Sequence, residues 1–325
     1  EWIVRRVVSG VRTTIVLGTR GSALALAQAE MTEAALREAH PELAIERRVI
    51  KTSGDRRTDV PLSEVARAEG HLDKGVFIKE LELALQGGEI DVAVHSLKDV
   101  PSELEESFAI GGVLPRAPVA DVLITKLDGG LEGLPGGATV ATSSVRRQRI
   151  LQWLRPDLKV ADIRGNVPTR IRKFHESSEL QGVLLAEAGL LRLGLLEDGM
   201  VKSEGAVAAA EVLNPDHFLP AAGQGAVALE IRAHDEALRQ LVTAVNHQDT
   251  LDAVTVERKF LELLGAGCDT PVGVLSWLEG AELAMRVLVF EEGEGEPLQA
   301  EATGPREEPE ALAQQLVDNL SRRES

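Results

Sequence analysis

Four short segments of this chain carry the same chemical equipment. They are Thr19-Arg20-Gly21-Ser22, Ser96-Leu97-Lys98-Asp99, Ser143-Ser144-Val145-Arg146-Arg147, and Arg164-Gly165-Asn166 with Thr169-Arg170. Each sets a hydroxyl or amide beside a Lys or Arg, directly after a segment patterned as a strand. A helix N-terminus adds unpaired N–H groups and partial positive charge, and the planar arginine fork matches the two oxygens of a carboxylate. Taken singly, each Ser reads as an N-cap and each Arg as a surface charge. Four such coincidences point instead to a ligand bearing many carboxylates or phosphates. No GxxxxGK[ST] occurs, nor a GxGxxG after a strand, so a polycarboxylate fits better than a nucleotide.

Three residues stand apart from this cationic set. Asp99 reads either as a capping or salt-bridged carboxylate or as a functional acid. Among Arg and Lys it stays ionised at neutral pH, able to accept a proton, steady a passing cation or bind an N–H. His95 is a candidate general base ranked below Asp99. Cys268 is the one cysteine in 325 residues, in the glycine-lined run from Leu264 to Gly273. A single thiol makes no internal disulfide and is too few for a structural zinc site, so no metal is expected. Two readings of Cys268 stay open, an inert buried thiol or a nucleophile that carries something where glycines leave room.

The formal charge of −17 argues against nucleic acid as the main partner. Yet residues 141–175 hold nine basic residues against two acidic ones, Asp157 and Asp162. That local inversion suggests a small polyanion site, with a basic helix face paired to acids elsewhere as the alternative. Hydrophobic content of 44% and charged content of 27% are those of a globular protein. No apolar run is long enough to span a bilayer, and Glu1 to Thr14 lacks the apolar core and cleavage pattern of a signal peptide. The cytoplasm, without membrane association, is the expected location.

The elements that must position these residues alternate. Ile15–Leu17 reads as a strand; Ser22 then caps a helix on which Leu24, Ala27, Met31, Ala34 and Ala35 recur at helical spacing. Leu43–Ile50 reads as a strand, Gly75–Leu85 as a helix and Ile90–Val94 as a strand. A second such unit follows the break at residues 115–118: strand 139–141, a helix through Ile150 and Leu154, strand 158–163, a helix around Arg170, and strand 182–185. This alternation predicts α/β domains with largely parallel sheets. The region from Asp249 changes character: a helix over 251–264, strands near 272–275, 283–289 and 299–302, and a last helix near Pro309, a small α+β domain.

These motifs together resemble the porphobilinogen deaminase (hydroxymethylbilane synthase) family. The resemblance runs from about Ile15 to Ser325. It is carried by Gly18-Thr19-Arg20-Gly21-Ser22, Lys79-Glu80-Leu81-Glu82, Val94 to Pro101, Thr142 to Gln148, Ile163 to Val167, Gly189 to Gly194, Ala222 to Ala226 and Gly267-Cys268. It implies a monomeric transferase of tetrapyrrole biosynthesis that joins four porphobilinogen units head to tail, releasing ammonia, on a covalent dipyrromethane primer. Hydrolysis then frees hydroxymethylbilane. By resemblance the primer is held through a thioether on Cys268, with Asp55, Lys98, Ser144, Arg146, Arg147 and Arg170 around it. Arg20, Ser22, Arg164 and Arg192 fall around the incoming substrate, with Arg146, Arg147 and Arg170 placed to contact both, and Asp99 stabilises the azafulvene cation left when ammonia departs.

The implied fold is two α/β domains of the periplasmic-binding-protein type II kind plus a smaller α+β domain. Residues 15–115 with 220–243 form the first, 116–219 the second and 244–325 the third, with 1–14 as a loosely held extension. Two stretches depart from the family pattern: His71–Gly75 replaces a more glycine-rich loop before the Phe77 helix, so Lys74 and Phe77 are given no role, and Glu187 stands at a usually small or apolar position. The alternative from another class is a non-catalytic two-lobed solute-binding protein; it explains the strand-end arginines but not Cys268 or the third domain. A Cys–His hydrolase lacks anything placing Cys268 near His95. RNA binding by residues 146–173 is disfavoured by an aromatic content of 3% with no Tyr.

Overall fold

The computed structural model describes residues 7–8, 11–52, 78–266, 270–291, 293 and 295–321. Asp55, Lys74, Phe77 and Cys268 lie outside the described residues. The chain divides into two compact units, 1–116 with 226–251, and 117–225 with 252–325.

In chain order the first unit opens with β1 (Val7–Val8), β2 (Val11–Arg12), β3 (Thr14–Thr19), α1 (Ala23–Ala39), β4 (Ala44–Val49), α2 (Lys79–Gln86), β5 (Val92–Ser96) and β6 (Phe108–Val113). A single 3-10 turn, Leu97–Asp99, follows β5. The second unit continues with β7 (Asp121–Thr125), α3 (Gly130–Gly133), β8 (Thr139–Ala141), α4 (Val145–Leu154), β9 (Lys159–Ala161), α5 (Val167–Glu176), β10 (Gly182–Ala186), α6 (Glu187–Arg192), β11 (Leu196–Glu197), β12 (Met200–Ser203) and β13 (Ala206–Val212). The chain then returns to the first unit through β14 (Val227–Arg232) and α7 (Glu236–Thr243). Helix α8 (Gln248–Leu264) leads into β15 (Val272–Glu279), β16 (Glu282–Val289), β17 (Leu298–Pro305) and α9 (Pro309–Ser321).

Both large sheets follow one plan. The first is ordered β4-β3-β5-β14-β6, and the second β9-β8-β10-β7-β13-β12-β11. In each, three parallel strands meet an antiparallel fourth. Parallel neighbours end at the same sheet edge, so residues that follow β3 and β5, or β8, β9 and β10, gather there without being close in sequence. The expected α/β class and the smaller C-terminal sheet-and-helix domain are both present, but the sheets are not largely parallel: beyond the three parallel strands of each, β14 and β6 in the first and β7, β13, β12 and β11 in the second pair antiparallel. The latter is an antiparallel β15-β16-β17 sheet packed through Val274, Met285 and Val287 on Val256 and Phe260 of α8 and Leu312 and Leu316 of α9.

Several boundaries differ from the sequence expectation. Helix α2 runs from Lys79 with Ile78 as its N-cap, α8 begins three residues earlier than Leu251, and β9 is confined to 159–161. Helix α1 buries a different face from the one its apolar spacing suggested. Ala25, Gln28, Ala29, Thr32, Glu33 and Leu36 point inward, while Met31 is 39% exposed. Polar side chains occupy that inner face because each is partnered there: Gln28 Nε2 donates to Ser96 Oγ at 2.8 Å, Thr32 Oγ1 to Gln28 O at 2.9 Å, and Glu33 accepts from Arg47 Nε at 2.5 Å.

Arg12, expected in a loosely held extension, is fixed by charge. Its Nη1 lies 2.8 Å from Asp91 Oδ1 and its Nη2 2.5 Å from Asp235 Oδ2, while Arg232 Nη2 meets the same two carboxylates at 2.9 and 3.0 Å. Asp91 is fully buried and also accepts from Val16 N at 3.0 Å. Removing the charge from such a centre leaves two cations competing for one remaining carboxylate. Asp91→Asn should therefore cost about 3–5 kcal/mol of stability, measured by urea unfolding followed by far-UV circular dichroism; a loss below about 1 kcal/mol would show that the network contributes little.

Candidate functional site

In the first unit the parallel ends of β3 and β5 bring Arg20 and Ser22 beside the turn that carries Lys98 and Asp99. Ser22 is the N-cap of α1, its Oγ accepting from Ala25 N at 3.3 Å. The Leu97–Asp99 turn is held by Leu97 N donating to Ala226 O and Val100 N to Leu97 O, both at 3.0 Å. Leu97 is thereby buried, while Lys98 and Asp99 are exposed. An open cavity forms at this edge, lined by Arg20, Ser22, Gln28, His95, Ser96 and Asp99 together with apolar side chains. The structure thus unites the Arg20–Ser22 turn with His95, Ser96 and Asp99, all singled out in the sequence. His95 lines the same cavity, but its Nε2 is 2.8 Å from Oε2 of fully buried Glu230 on β14.

In the second unit the C-terminal edge of β8, β9 and β10 collects the remaining candidates. Ser144 caps α4, accepting from Arg147 N at 3.5 Å, and Asn166 caps α5, accepting from Thr169 N at 3.0 Å. Ser143 joins the two turns, its Oγ donating to Ile163 O at 2.6 Å and accepting from Ile163 N at 3.2 Å. Gly165 is required in this turn: its φ is +123°, and a Cβ there would lie 2.6 Å from Thr169 Cγ2. Arg170 Nε donates to Gly165 O at 2.7 Å and Lys173 Nζ to Arg164 O at 3.0 Å. Helices α1, α4 and α5 have no acidic residue in the first turn. Their positive ends are left for an anion from outside.

Arg146 and Arg147 occupy the first turn of α4 and are each 5% exposed. Two like charges at the positive end of a helix need compensation, and fully buried Asp121 provides it. Its carboxylate is 2.8 Å from Arg146 Nη1 and 2.7 Å from Arg147 Nη2. Arg146 Nη1 also donates to Leu219 O at 2.6 Å, and Arg147 Nη1 to Leu184 O at 3.0 Å. Gln224 Nε2 reaches Asp121 Oδ1 at 2.9 Å and Val119 O at 2.6 Å. Burial pushes the Asp121 carboxyl up, but the two arginine charges and their hydrogen bonds together outweigh it and hold it well below the usual carboxylate range. Burial, aided by Arg147, lowers the Arg146 value against the pull of Asp121, yet a guanidinium remains charged at neutral pH.

Arg192, at the end of α6, donates from Nη2 to Gly225 O at 2.6 Å, and burial lowers its pKa. The Nε atoms of Arg146, Arg147 and Arg192 are buried and meet no hydrogen-bond acceptor among the described residues. Glu187 opens α6 as the one acid in the first turn of a helix at this edge, and burial raises its pKa. Sequence reasoning missed Asp121, Gln28 and Glu230. Asp121 could have been noticed as a charged residue opening the apolar run Val122-Leu123-Ile124, since a carboxylate there demands a cation.

The family model for the porphobilinogen deaminase dipyromethane cofactor binding domain matches residues 15–240, and that for the porphobilinogen deaminase C-terminal domain matches residues 251–322. The chain belongs to the porphobilinogen deaminase family. A porphobilinogen deaminase of Roseiflexus sp. (strain RS-1) is 40% identical over 310 residues, 95% of this chain and 96% of that protein. One from Syntrophomonas wolfei is 45% identical over 273 residues, 84% of each chain. Among solved structures, the periplasmic VFT2 domain of Bordetella pertussis BvgS matches with a TM-score of 0.42 at 14% identity, covering 72% of this chain and 86% of that one. The aliphatic sulphonate binding protein SsuA from Escherichia coli matches with a TM-score of 0.38 at 13% identity, covering 78% and 70%. Likeness at that level carries no argument about this chain. Porphobilinogen deaminases are transferases, and this chain carries the family's cofactor-binding domain. Among the described residues no helix is long and apolar enough to cross a membrane.

The depressed Asp121 carboxyl has a defined consequence for stability. A carboxyl whose folded value lies below its ordinary 3.8 stabilises the fold at pH above that value, and the contribution is lost as pH falls through the folded value. Asp121→Asn should therefore melt below the unsubstituted protein at pH 7, by about 3–5 kcal/mol. The gap should narrow as pH drops below 3.8. Thermal melts from pH 7 to 2.5 check this; a gap independent of pH would contradict it.

Proposed function

We propose that this chain is a hydroxymethylbilane synthase, condensing four porphobilinogen molecules head to tail on a dipyrromethane primer held by a thioether to Cys268. The observation that carries the reading is the cavity at the joint ends of β3 and β5, where Asp99 faces the same space as Arg20 and Ser22 in a chain of this family. The donors present fit the primer: guanidinium, ammonium and hydroxyl groups suit its acetates and propionates, and the unpartnered Nε atoms are donors that carboxylates would satisfy. Lys98, Ser144, Arg146, Arg147 and Arg170 would hold it, with Asp55 contributing from outside the described residues. When bound, the primer supplies the pyrrole carbon to which each substrate unit is joined.

The chain's own residues supply position and charge. Arg20, Ser22, Arg164 and Arg192, joined by Arg146, Arg147 and Arg170 as the growing pyrrole chain moves through one site, bind the carboxylates of incoming porphobilinogen, each charge-assisted contact fixing the pyrrole ring against rotation. Asp99, exposed at the cavity, accepts hydrogen bonds from pyrrole N–H groups. It stabilises the positive charge that develops on the substrate as ammonia leaves. His95 is held by Glu230 and is not assigned a proton transfer. The non-catalytic solute-binding alternative accounts for the cations but gives Asp99 no task. The remaining assignments are a division into 15–115 with 220–243, 116–219 and 244–325, a monomeric state and a cytoplasmic location.

Asp99→Asn keeps the size and hydrogen-bonding reach of the side chain and removes its charge. It should lower kcat by a factor on the order of 10³ while the fold and the primer adduct persist. Steady-state release of hydroxymethylbilane, with intact mass as the loading control, measures this. Turnover within threefold of the unsubstituted protein would remove Asp99 from the mechanism.

A further inference from the structure

Arg146 and Arg147 pose a physical problem for any protein that uses them to bind carboxylates. Both are 5% exposed and adjacent in sequence, so their like charges are desolvated together at the positive end of α4. Left alone, they would repel one another and turn toward solvent. A carboxylate ligand would then have to order two long side chains on arrival.

We propose that Asp121 is the positioning residue for these two arginines, presetting both guanidinium groups before any ligand binds and reducing their joint charge to a single positive unit. Its two oxygens are divided between them: Oδ2 lies 2.8 Å from Arg146 Nη1 and Oδ1 2.7 Å from Arg147 Nη2. Leu219 O accepts from the same Arg146 Nη1 at 2.6 Å and Leu184 O from Arg147 Nη1 at 3.0 Å, so Arg147 is anchored through both terminal nitrogens and Arg146 through one. Asp121 itself cannot drift. It begins β7, where Asp121 pairs with Ala186 of β10, and Gln224 Nε2 holds its Oδ1 at 2.9 Å. Asp121 is fully buried, so it acts through the arginines and does not touch substrate.

This inference rests on the reading of Arg146 and Arg147 as carboxylate-binding residues, and the test separates the two. Asp121→Glu keeps the charge and moves the carboxylate by one methylene. In folded Asp121→Glu protein, verified by circular dichroism and thermal melting, the KM for porphobilinogen should rise about tenfold or more. The kcat per primer-loaded molecule should stay within threefold, because ground state and transition state lose the same anchoring. The fraction carrying the primer adduct, read by intact mass, should fall as well. A purely structural Asp121 would lower the melting temperature and leave the KM of the folded molecules unchanged; that result overturns the proposal. Absence of an adduct in the unsubstituted protein would instead sink the functional reading.

The geometry is also testable without turnover or substitution at Asp121. Nuclear magnetic resonance of the arginine Nε–Hε groups in the unsubstituted protein should show Arg146 and Arg147 as restrained as rigid backbone, with order parameters of about 0.85. Values below about 0.6 would mean mobile side chains and would overturn the proposal even if Asp121→Glu failed to fold.

Discussion

A protein that gathers cations to meet a polycarboxylate must keep those cations charged, separate and in place while nothing is bound. In the second unit that constraint converges on Asp121, a buried carboxylate set between Arg146 and Arg147. Alone, its burial would cost several kcal/mol, and so would that of either arginine. Together the opposite charges offset one another's burial, and the compensation is local: one strand start, one helix first turn and the carbonyls of Leu184 and Leu219. The pairing of β7 with β10, the cap at Ser144 and the Gln224 hydrogen bond together bring these groups to one point.

Sheet topology supplies the second half of the account. Parallel neighbouring strands bring their C-terminal ends to a common edge, so short motifs separated by dozens of residues become one chemical surface within each unit. In the first unit this sets Arg20 and Ser22 next to Lys98 and Asp99; in the second it aligns Ser144, Arg164, Arg170 and Arg192. Helices α1, α4 and α5 start there with hydroxyl or amide caps and no acid in the first turn. Local capping and ligand electrostatics thus ask for the same residues, and the serines serve as caps without being barred from a ligand.

The strand-end motifs were legible because turn chemistry and charge are local properties. Ser22, Ser144 and Asn166 each cap the helix they precede, and Asp99 falls at the cavity its neighbours line. What escaped reading depends on partners far along the chain. Gln28 and Glu33 lie on the buried face of α1 because Ser96 and Arg47 meet them there, and Thr32 bonds back to Gln28 O, which apolar spacing alone cannot reveal. Asp121 and Glu230 were hidden for the same reason: each is a carboxylate inside a strand, tolerated only through arginines or a histidine elsewhere. Arg12 shows the converse, a residue read as part of a loose extension that a four-member ion network holds in place.

The central claim is that this arginine-equipped chain holds a pyrrole primer covalently at its only cysteine. Intact mass spectrometry of the purified protein tests it most directly. The account predicts a mass excess equal to a dipyrromethane on the unsubstituted protein and the bare polypeptide mass in Cys268→Ser. Active protein with the unmodified mass and a free Cys268 thiol would contradict it.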